Sequence, residues 1–330
     1  MSRMVDGEWR TDVEQLITED GAFEREETTF RDWIRDDPQA RYRPEPGRYH
    51  LYISRACPWA HRVTLVRRLK GLEDVISMDV VDPVREDQGW EFAPEKDGCT
   101  EDSIGGVDYL REVYAAADSQ YSGRVTVPVL WDRKEATIVN NESGELMRMI
   151  DTVFDEYAER DVRLYPPGKQ DAIDRIVSEI YEPINDGVYR AGFAETQEAY
   201  ESAVTDLFEA LEHWDAVLSE QRFLLGDTIT LADVALFTTL YRFDPVYYVH
   251  FKCNERRIDD FPNLSGYLRD LYQLPGVEAT CNIDHVKRHY YMSHTDINPK
   301  RIVPTGPDRD LTADHDRDSL SSEPPLGIGG

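Results

Sequence analysis

The stretch Tyr49-His50-Leu51-Tyr52-Ile53-Ser54-Arg55-Ala56-Cys57-Pro58-Trp59-Ala60-His61-Arg62 changes character at one point. Its first residues are rich in aromatic and branched side chains, the composition of a strand. After Pro58 the chain continues Arg62-Val63-Thr64-Leu65-Val66-Arg67-Arg68-Leu69 with helical spacing. Pro58 suits the first turn of such a helix, where a missing N–H removes no bond. Cys57 therefore stands where a strand turns into a helix. A helix N-terminus sets unpaired N–H groups and a positive dipole end beside the sulfur, and both favour the thiolate, which is the nucleophile. His61 and Arg62 follow in the next turn and add positive potential. The bland alternative is a small buried cysteine.

Working outward, residues 75–81 have the pattern of a second strand, and 86–124 form an insertion containing Trp90, Phe92 and Gly105-Gly106. Val125-Thr126-Val127-Pro128-Val129-Leu130-Trp131 is a third strand interrupted by Pro128, and Thr137-Ile138-Val139 is a fourth. Asn140-Asn141-Glu142-Ser143-Gly144 then opens a helix over 145–154. This order is that of a thioredoxin-like α/β domain, placed over 46–155. From about residue 170 helical periodicity takes over. Ile173, Ile176, Val177 and Ile180 share one face, as do Ala203, Leu207, Ala210, Leu211 and Trp214. Thr230-Leu231-Ala232-Asp233 starts a further helix, and an all-helical domain is expected over 165–300. Residues 1–45 read as a polar arm anchored by Trp9, Phe23, Phe30 and Trp33, and 305–330 as a disordered tail.

Position 60 is alanine, so the Cys57 turn lacks the second cysteine of a dithiol redox site. A mixed disulfide at Cys57 must then be cleared by an external thiol. Val127-Pro128 fits the cis-proline of a thioredoxin-like domain, which presents the Val127 backbone to a peptide-like thiol; the alternative is an ordinary edge-strand proline. The helix opening at Glu142-Ser143 offers free N–H groups and a hydroxyl to a carboxylate, while Glu142 balances an ammonium. Together these suit the amino-acid end of a γ-glutamyl group. Cys281, His285 and His289 recur every fourth residue, but a helix would spread them over about 12 Å at 1.5 Å per residue. One zinc ion bonds at only about 2.0–2.3 Å, so no metal is expected.

The chain of 330 residues has room for two domains. Its 18 Tyr, 11 Phe and 6 Trp argue against overall disorder. No apolar run approaches the roughly 20 residues of a membrane helix, and the first residues carry no secretory signal, so a cytoplasmic location is expected. A net charge of −28 repels nucleic acid and anionic membrane. Only seven of the 37 basic residues are lysine; acidic, lysine-poor surfaces suit a salt-rich cytoplasm, and a halophilic source is the preferred reading. Four cysteines without a CxxC pair argue against a disulfide scaffold. The charge makes a prediction of its own. Self-repulsion acts over a Debye length of about 30 Å at 0.01 M salt and about 3 Å at 1 M, so the melting temperature should climb through a KCl series. A flat series would remove the salt-adapted reading.

Ser54-Arg55-Ala56-Cys57-Pro58-Trp59-Ala60-His61-Arg62, Val125-Thr126-Val127-Pro128-Val129-Leu130-Trp131-Asp132 and Asn140-Asn141-Glu142-Ser143 resemble the glutathionyl-hydroquinone reductases, the Xi-class glutathione transferases. So do Ile184-Asn185-Asp186-Gly187-Val188-Tyr189-Arg190-Ala191-Gly192-Phe193-Ala194, Arg242-Phe243-Asp244-Pro245-Val246-Tyr247, His250-Phe251-Lys252-Cys253-Asn254, His289-Tyr290 and Ile297-Asn298-Pro299. The resemblance runs from about residue 5 to 307. It implies the glutathione-transferase fold, with a thioredoxin-like domain followed by a helical one. It implies Cys57 as nucleophile, and Trp90, Arg124, Val127, Glu142 and Ser143 as thiol-binding residues. Tyr189, Tyr247 and Tyr290 would line the quinol pocket. The implied reaction removes glutathione reductively from a glutathionyl-hydroquinone, in a homodimer. The thiol co-substrate is glutathione, or γ-glutamylcysteine in a salt-accumulating archaeon. Two rivals remain at this point: an omega-like thioltransferase that shares Cys57 without needing the tyrosines, and a non-catalytic interaction module of the same fold.

Overall fold

All five residues of Tyr49–Ile53 are buried, and the first half of the chain is arranged about that strand. The structure, a computed structural model, describes residues 2–12, 17–18, 20–321 and 325–326. Its strands are β1 (Arg3–Val5), β2 (Glu8–Arg10), β3 (Tyr49–Ile53), β4 (Ser77–Val80), β5 (Val129–Asp132) and β6 (Thr137–Asn140). Its α-helices are α1 (Pro58–Lys70), α2 (Leu110–Ala117), α3 (Ser143–Val153), α4 (Gln170–Ile180), α5 (Gly187–Gly192), α6 (Gln197–Val217), α7 (Leu231–Arg242), α8 (Tyr248–His250), α9 (Leu264–Gln273) and α10 (Ile283–Ser293). The described residues of Met1–Gln15, Glu26–Arg160 and Asn282–Val303 form unit 1, and those of Leu16–Arg25, Asp161–Cys281 and Pro304–Gly330 form unit 2.

In unit 1 the sheet order is β4-β3-β5-β6. β3 runs parallel to β4, with His50 opposite Ser77, and antiparallel to β5, with Tyr49 opposite Asp132. β6 closes the sheet antiparallel to β5. The parallel pair needs a crossover, and α1 supplies it. That helix ends at Gly71, whose φ of 68° is the left-handed conformation glycine adopts freely. Lys70 just before it is fully buried, but Asp151 at 3.4 Å and Asp155 at 2.5 Å neutralise it. The third strand starts only at Val129, because Pro128 has no N–H to give to a ladder. Part of the expected irregular arm is ordered: β1 and β2 form a hairpin, and 30–32 lie along the β6 edge through Asp32 N–H to Val139 O and Asn141 N–H to Phe30 O. Covering that edge removes a site for unwanted strand pairing.

Helix α10 was expected in the helical domain and belongs to unit 1 instead. Its His289 Nδ1 donates to the Pro83 carbonyl, 2.7 Å away, and the ring stacks on Trp90. Helical periodicity identifies such a helix without saying which body it joins.

Unit 2 is helical. Two π-turns interrupt it, at Tyr181–Asn185 and Phe243–Tyr247. Each contains a proline, Pro183 and Pro245, which cannot sustain an α-helical hydrogen bond. The start of α7 is set by Asp233, which is fully buried. Its carboxylate accepts from Leu224 N, Thr230 N, Thr230 Oγ1 and Tyr267 Oη, each at 2.8 Å. Asp233→Ala should remove a helix cap worth about 1 kcal/mol and leave buried donors unpaired at about 1–3 kcal/mol more. The check is a thermal melt, with a drop of several degrees expected and a smaller one for Asp233→Asn.

The tail expected to be disordered is held against unit 2 as far as it is described. Arg317 is buried and donates to the carbonyls of Leu218, Gln221 and Arg222. Those carbonyls follow α6 and have no helical partners of their own. Gln273 Nε2 holds Leu311 O and Ala313 O, and Arg309 meets Asp259 at 3.0 Å. Residues 322–324 and 327–330 of the expected tail lie outside the described residues.

Candidate active site

Cys57 occupies the N-cap of α1, with φ −75° and ψ 124°, and Pro58 is the first helical residue. Its N–H donates to Ser54 O at 3.1 Å, fixing the turn out of β3. The thiol is half-buried and lies 3.5 Å from the carbonyl of Val127. The Val127–Pro128 peptide is cis. Strand β3, helix α1 and the approach to β5 thus converge on one sulfur within unit 1. Of the two expected contributors of positive charge, Arg62 lies over the Trp59 ring at 4.4 Å and His61 is buried.

The other three thiols are in different surroundings. Burial pushes the Cys99 thiol up to about 11 and Cys281 to about 12, and raises Cys253 further. All three stay protonated near neutrality and are poor nucleophiles. Cys281 also precedes α10 and its Sγ contacts Val277 O at 3.6 Å. His285 meets Asp97 O at 2.8 Å and His289 meets Pro83 O, so these two histidines tie loops to α10. Among the described residues no group of three or more His, Cys, Asp or Glu is placed to hold a metal ion.

The expected thiol-binding residues all belong to unit 1. Glu142 caps α3, its Oε1 accepting from Gly144 N at 3.2 Å, and its own N–H is held by Asn140 Oδ1 at 2.7 Å. Ser143 is the buried first residue of that helix. Arg124 has its carbonyl held by the Tyr121 hydroxyl at 2.8 Å. Trp90 is 4% exposed, and its indole N–H is buried without a hydrogen-bond partner among the described residues. Such a donor is costly unless something pairs with it.

The three tyrosines are all buried but divided between the units. In unit 2 the rings of Tyr189 on α5 and Tyr247 in the second π-turn lie 5.9 Å apart, and Phe251 stands 5.5 Å from Tyr189 and 5.6 Å from Tyr247. Tyr290 is on α10 in unit 1, beside His289 and edge-on to His294. Two arginines near these groups have no signal in the sequence pattern. Arg25 lies 4.9 Å over the Tyr189 ring and pairs with Asp186 at 2.6 Å. Arg85 lies 5.3 Å over the Trp90 ring. Burial draws the Arg85 guanidinium below its usual range, and attraction to Cys57 opposes that shift.

Residues 56–153 match the family described as glutathione S-transferase, N-terminal domain, and 197–270 match glutathione S-transferase, C-terminal domain. The glutathionyl-hydroquinone reductase YqjG of Escherichia coli is 46% identical, over 96% of this chain and 99% of its own. Its glutathione-bound structure superposes with a TM-score of 0.87, covering 96% of this chain and 99% of that one at 45% identity. The glutathionyl-hydroquinone reductase PcpF of Sphingobium chlorophenolicum is 47% identical, over 94% of this chain and 98% of its own. A Xi-class glutathione transferase from Natrialba magadii is similar with a TM-score of 0.93 and 59% identity, covering 97% of this chain and 98% of that one. The chain belongs to the glutathione transferase family, in the Xi class of glutathionyl-hydroquinone reductases.

Proposed function

We propose that the chain removes glutathione from glutathionyl-hydroquinones through a mixed disulfide on Cys57. The observation that carries this reading is the state of the four thiols. Cys57 alone caps a helix N-terminus, beside the Val127 carbonyl, while burial keeps the other three protonated. In the first half-reaction the Cys57 thiolate attacks the sulfur of the conjugate. The carbon–sulfur bond breaks, its electron pair stays on the ring carbon, and that carbon takes a proton. The hydroquinone leaves and Cys57 carries a disulfide to glutathione. A second thiolate then attacks the glutathione sulfur, forming oxidised glutathione and returning Cys57 as thiolate. Two electrons pass to the ring carbon from the two sulfurs that end in the disulfide, the thioether sulfur of the conjugate and that of the second thiol.

The thiol-binding roles follow from what each group offers. Glu142 and Ser143 at the start of α3 suit the charged amino-acid end of a γ-glutamyl thiol. The unpaired Trp90 indole N–H suits an acceptor on the same molecule. Val127 supplies backbone groups beside the sulfur, and Arg124 a positive charge. Tyr189, Tyr247 and Tyr290 are assigned to orienting or protonating the hydroquinone. Among the described residues no helix is long and apolar enough to cross a membrane; a cytoplasmic homodimer adapted to high salt is part of the same proposal. The deciding assay is turnover of a glutathionyl-hydroquinone with glutathione and, in parallel, with γ-glutamylcysteine. Release of free hydroquinone with one of them supports the reading, and no release with either overturns it.

A further inference from the structure

Trp9 is an anchor of the N-terminal arm that the reaction leaves unused. It stands on β2, in the hairpin that turns at Asp6-Gly7. Both turn residues have positive φ, 49° and 80°, as a two-residue type I′ turn requires. A two-stranded hairpin is marginal by itself, and this one is seated on two loops of unit 1. On one side Met4 N–H donates to Gly123 O at 2.9 Å and Gly123 N–H to Met4 O at 3.0 Å. Gly7 N–H adds a bond to Tyr121 O at 3.0 Å. On the other side the Trp9 indole N–H donates to Asp87 O at 2.8 Å. The Trp9 ring also lies against Gly89, where a Cβ would stand 3.1 Å from two of its carbons. Arg111 closes the same corner: its guanidinium is 5.7 Å from the Trp9 ring centroid, and Nη1 donates to Gln88 O at 2.8 Å. Each loop carries a residue assigned to the thiol, for Trp90 follows Gly89 and Arg124 follows Gly123.

We propose that the β1–β2 hairpin is a clamp on the thiol-binding site, and that Trp9 is the positioning residue for Trp90. This rests on the thiol-binding role given to Trp90 above. Residues 82–91 form a closed loop, tied at the neck by Asp82 N–H to Glu91 O at 2.8 Å. Near Pro83 the loop is held by α10, through His289 and Ser293. At its tip Gly89 N–H turns back to Glu86 O at 2.9 Å. Trp9 and Arg111 hold the two carbonyls inside that turn, those of Asp87 and Gln88. Trp90 comes directly after it, and its buried indole N–H has no partner among the described residues. Such a donor serves a ligand only where it already stands when the acceptor arrives. Fixing the loop tip in advance removes part of the ordering cost of binding. Loss of the Trp9 ring frees the tip and opens space beside Gly89, so the Trp90 indole loses its fixed direction. The turn at Cys57 is set separately, by β3 and α1.

The test is a double-mutant cycle on the full chain. The probe is S-methylglutathione, which has no thiol to exchange and keeps the γ-glutamyl end common to both candidate thiols. Its Kd is measured by calorimetry for the wild type, Trp9→Leu, Trp90→Phe and the double variant, with a melt for each. Trp90→Phe removes the donor and should weaken binding about threefold to tenfold, the weight of one hydrogen bond. Trp9→Leu should weaken it by a similar factor, although no contact with the thiol is assigned to Trp9. The double variant should bind no worse than Trp90→Phe, because Trp9 then has no donor left to position. Trp9→Phe keeps a ring on Gly89 and loses only the bond to Asp87 O. It should fall between the wild type and Trp9→Leu, and it reports even where Trp9→Leu folds poorly. Losses that multiply in the double variant overturn the proposal, since a merely structural residue would act independently of Trp90. So does unchanged affinity in a folded Trp9→Leu while Trp90→Phe binds weakly, which removes the clamp and leaves the thiol site standing. Unchanged affinity in Trp90→Phe would overturn the role of Trp90 itself, and the clamp with it.

Discussion

Cys57→Ser should abolish hydroquinone release, by about 10³-fold or more, with melting and thiol binding almost unchanged. Losses of that order are usual when the nucleophile of a covalent mechanism is removed. The serine hydroxyl is not ionised near neutrality at a helix N-terminus, and it forms no stable bond to the sulfur of the conjugate. Folding should be spared because the N-cap role of Cys57 uses only its backbone. Its N–H goes to Ser54 O, its carbonyl accepts from His61 N at 3.0 Å, and its side chain makes no capping bond. Serine is in any case a good N-cap. The controls are Cys99→Ser, Cys253→Ser and Cys281→Ser. Cys253 is fully buried, so its serine variant should lose stability, by about 1–3 kcal/mol for a polar group left poorly paired, and keep its turnover number. Full activity in Cys57→Ser, or its loss in one of the other three while folded, would end the mixed-disulfide mechanism.

The turns at Cys57, Val127-Pro128 and Glu142-Ser143 were legible because each is local. A helix-capping Cys57, a Val127-Pro128 pair and a Glu142-Ser143 helix start are each decided by neighbours in sequence, and the backbone geometry there matches. What could not be read depends on contacts across the chain. The setting of Arg85 comes from Trp90 and from α10, some 200 residues later. Nothing in the Asp82-Pro83-Val84-Arg85 pattern announces it. His289 was read as part of a family motif and of a metal-like spacing, whereas in the fold it stacks on Trp90 and holds Pro83. Composition suggested disorder after residue 304, because polar segments rarely bury apolar surface. Arg317 is ordered by a different means, by satisfying the carbonyls left over at the end of α6. The π-turns at Tyr181–Asn185 and Phe243–Tyr247, with Pro183 and Pro245 inside them, had no counterpart in the periodicity, and Tyr247 lies in the second of them.

Phe substitutions at Tyr189, Tyr247 and Tyr290 should slow the first half-reaction and leave the second almost untouched. All three side chains are buried, so removing one oxygen from each preserves ring packing. The chemistry sets the expectation. When Cys57 attacks, its negative charge disappears into a disulfide and the ring carbon must gain a proton. A phenol that gives this proton becomes the new anion, so the best donor is the tyrosine with a cation beside it. Tyr189 has one: Arg25 lies 4.9 Å over its ring. Burial works against the Arg25 charge, while Asp186 and the anionic form of Tyr189 both support it. Tyr189→Phe is therefore expected to slow release within the range of about 10²–10⁴-fold typical of a general acid. Tyr247→Phe and Tyr290→Phe test the same step at the other two positions. Resolution of the mixed disulfide involves no quinol and needs none of these hydroxyls. Single-turnover kinetics of each half-reaction, for the three variants and the triple, separates the cases. Equal slowing of both halves would mean that the tyrosines only support the fold. Undiminished release of hydroquinone in the triple variant would leave a general thioltransferase, for which Cys57 suffices.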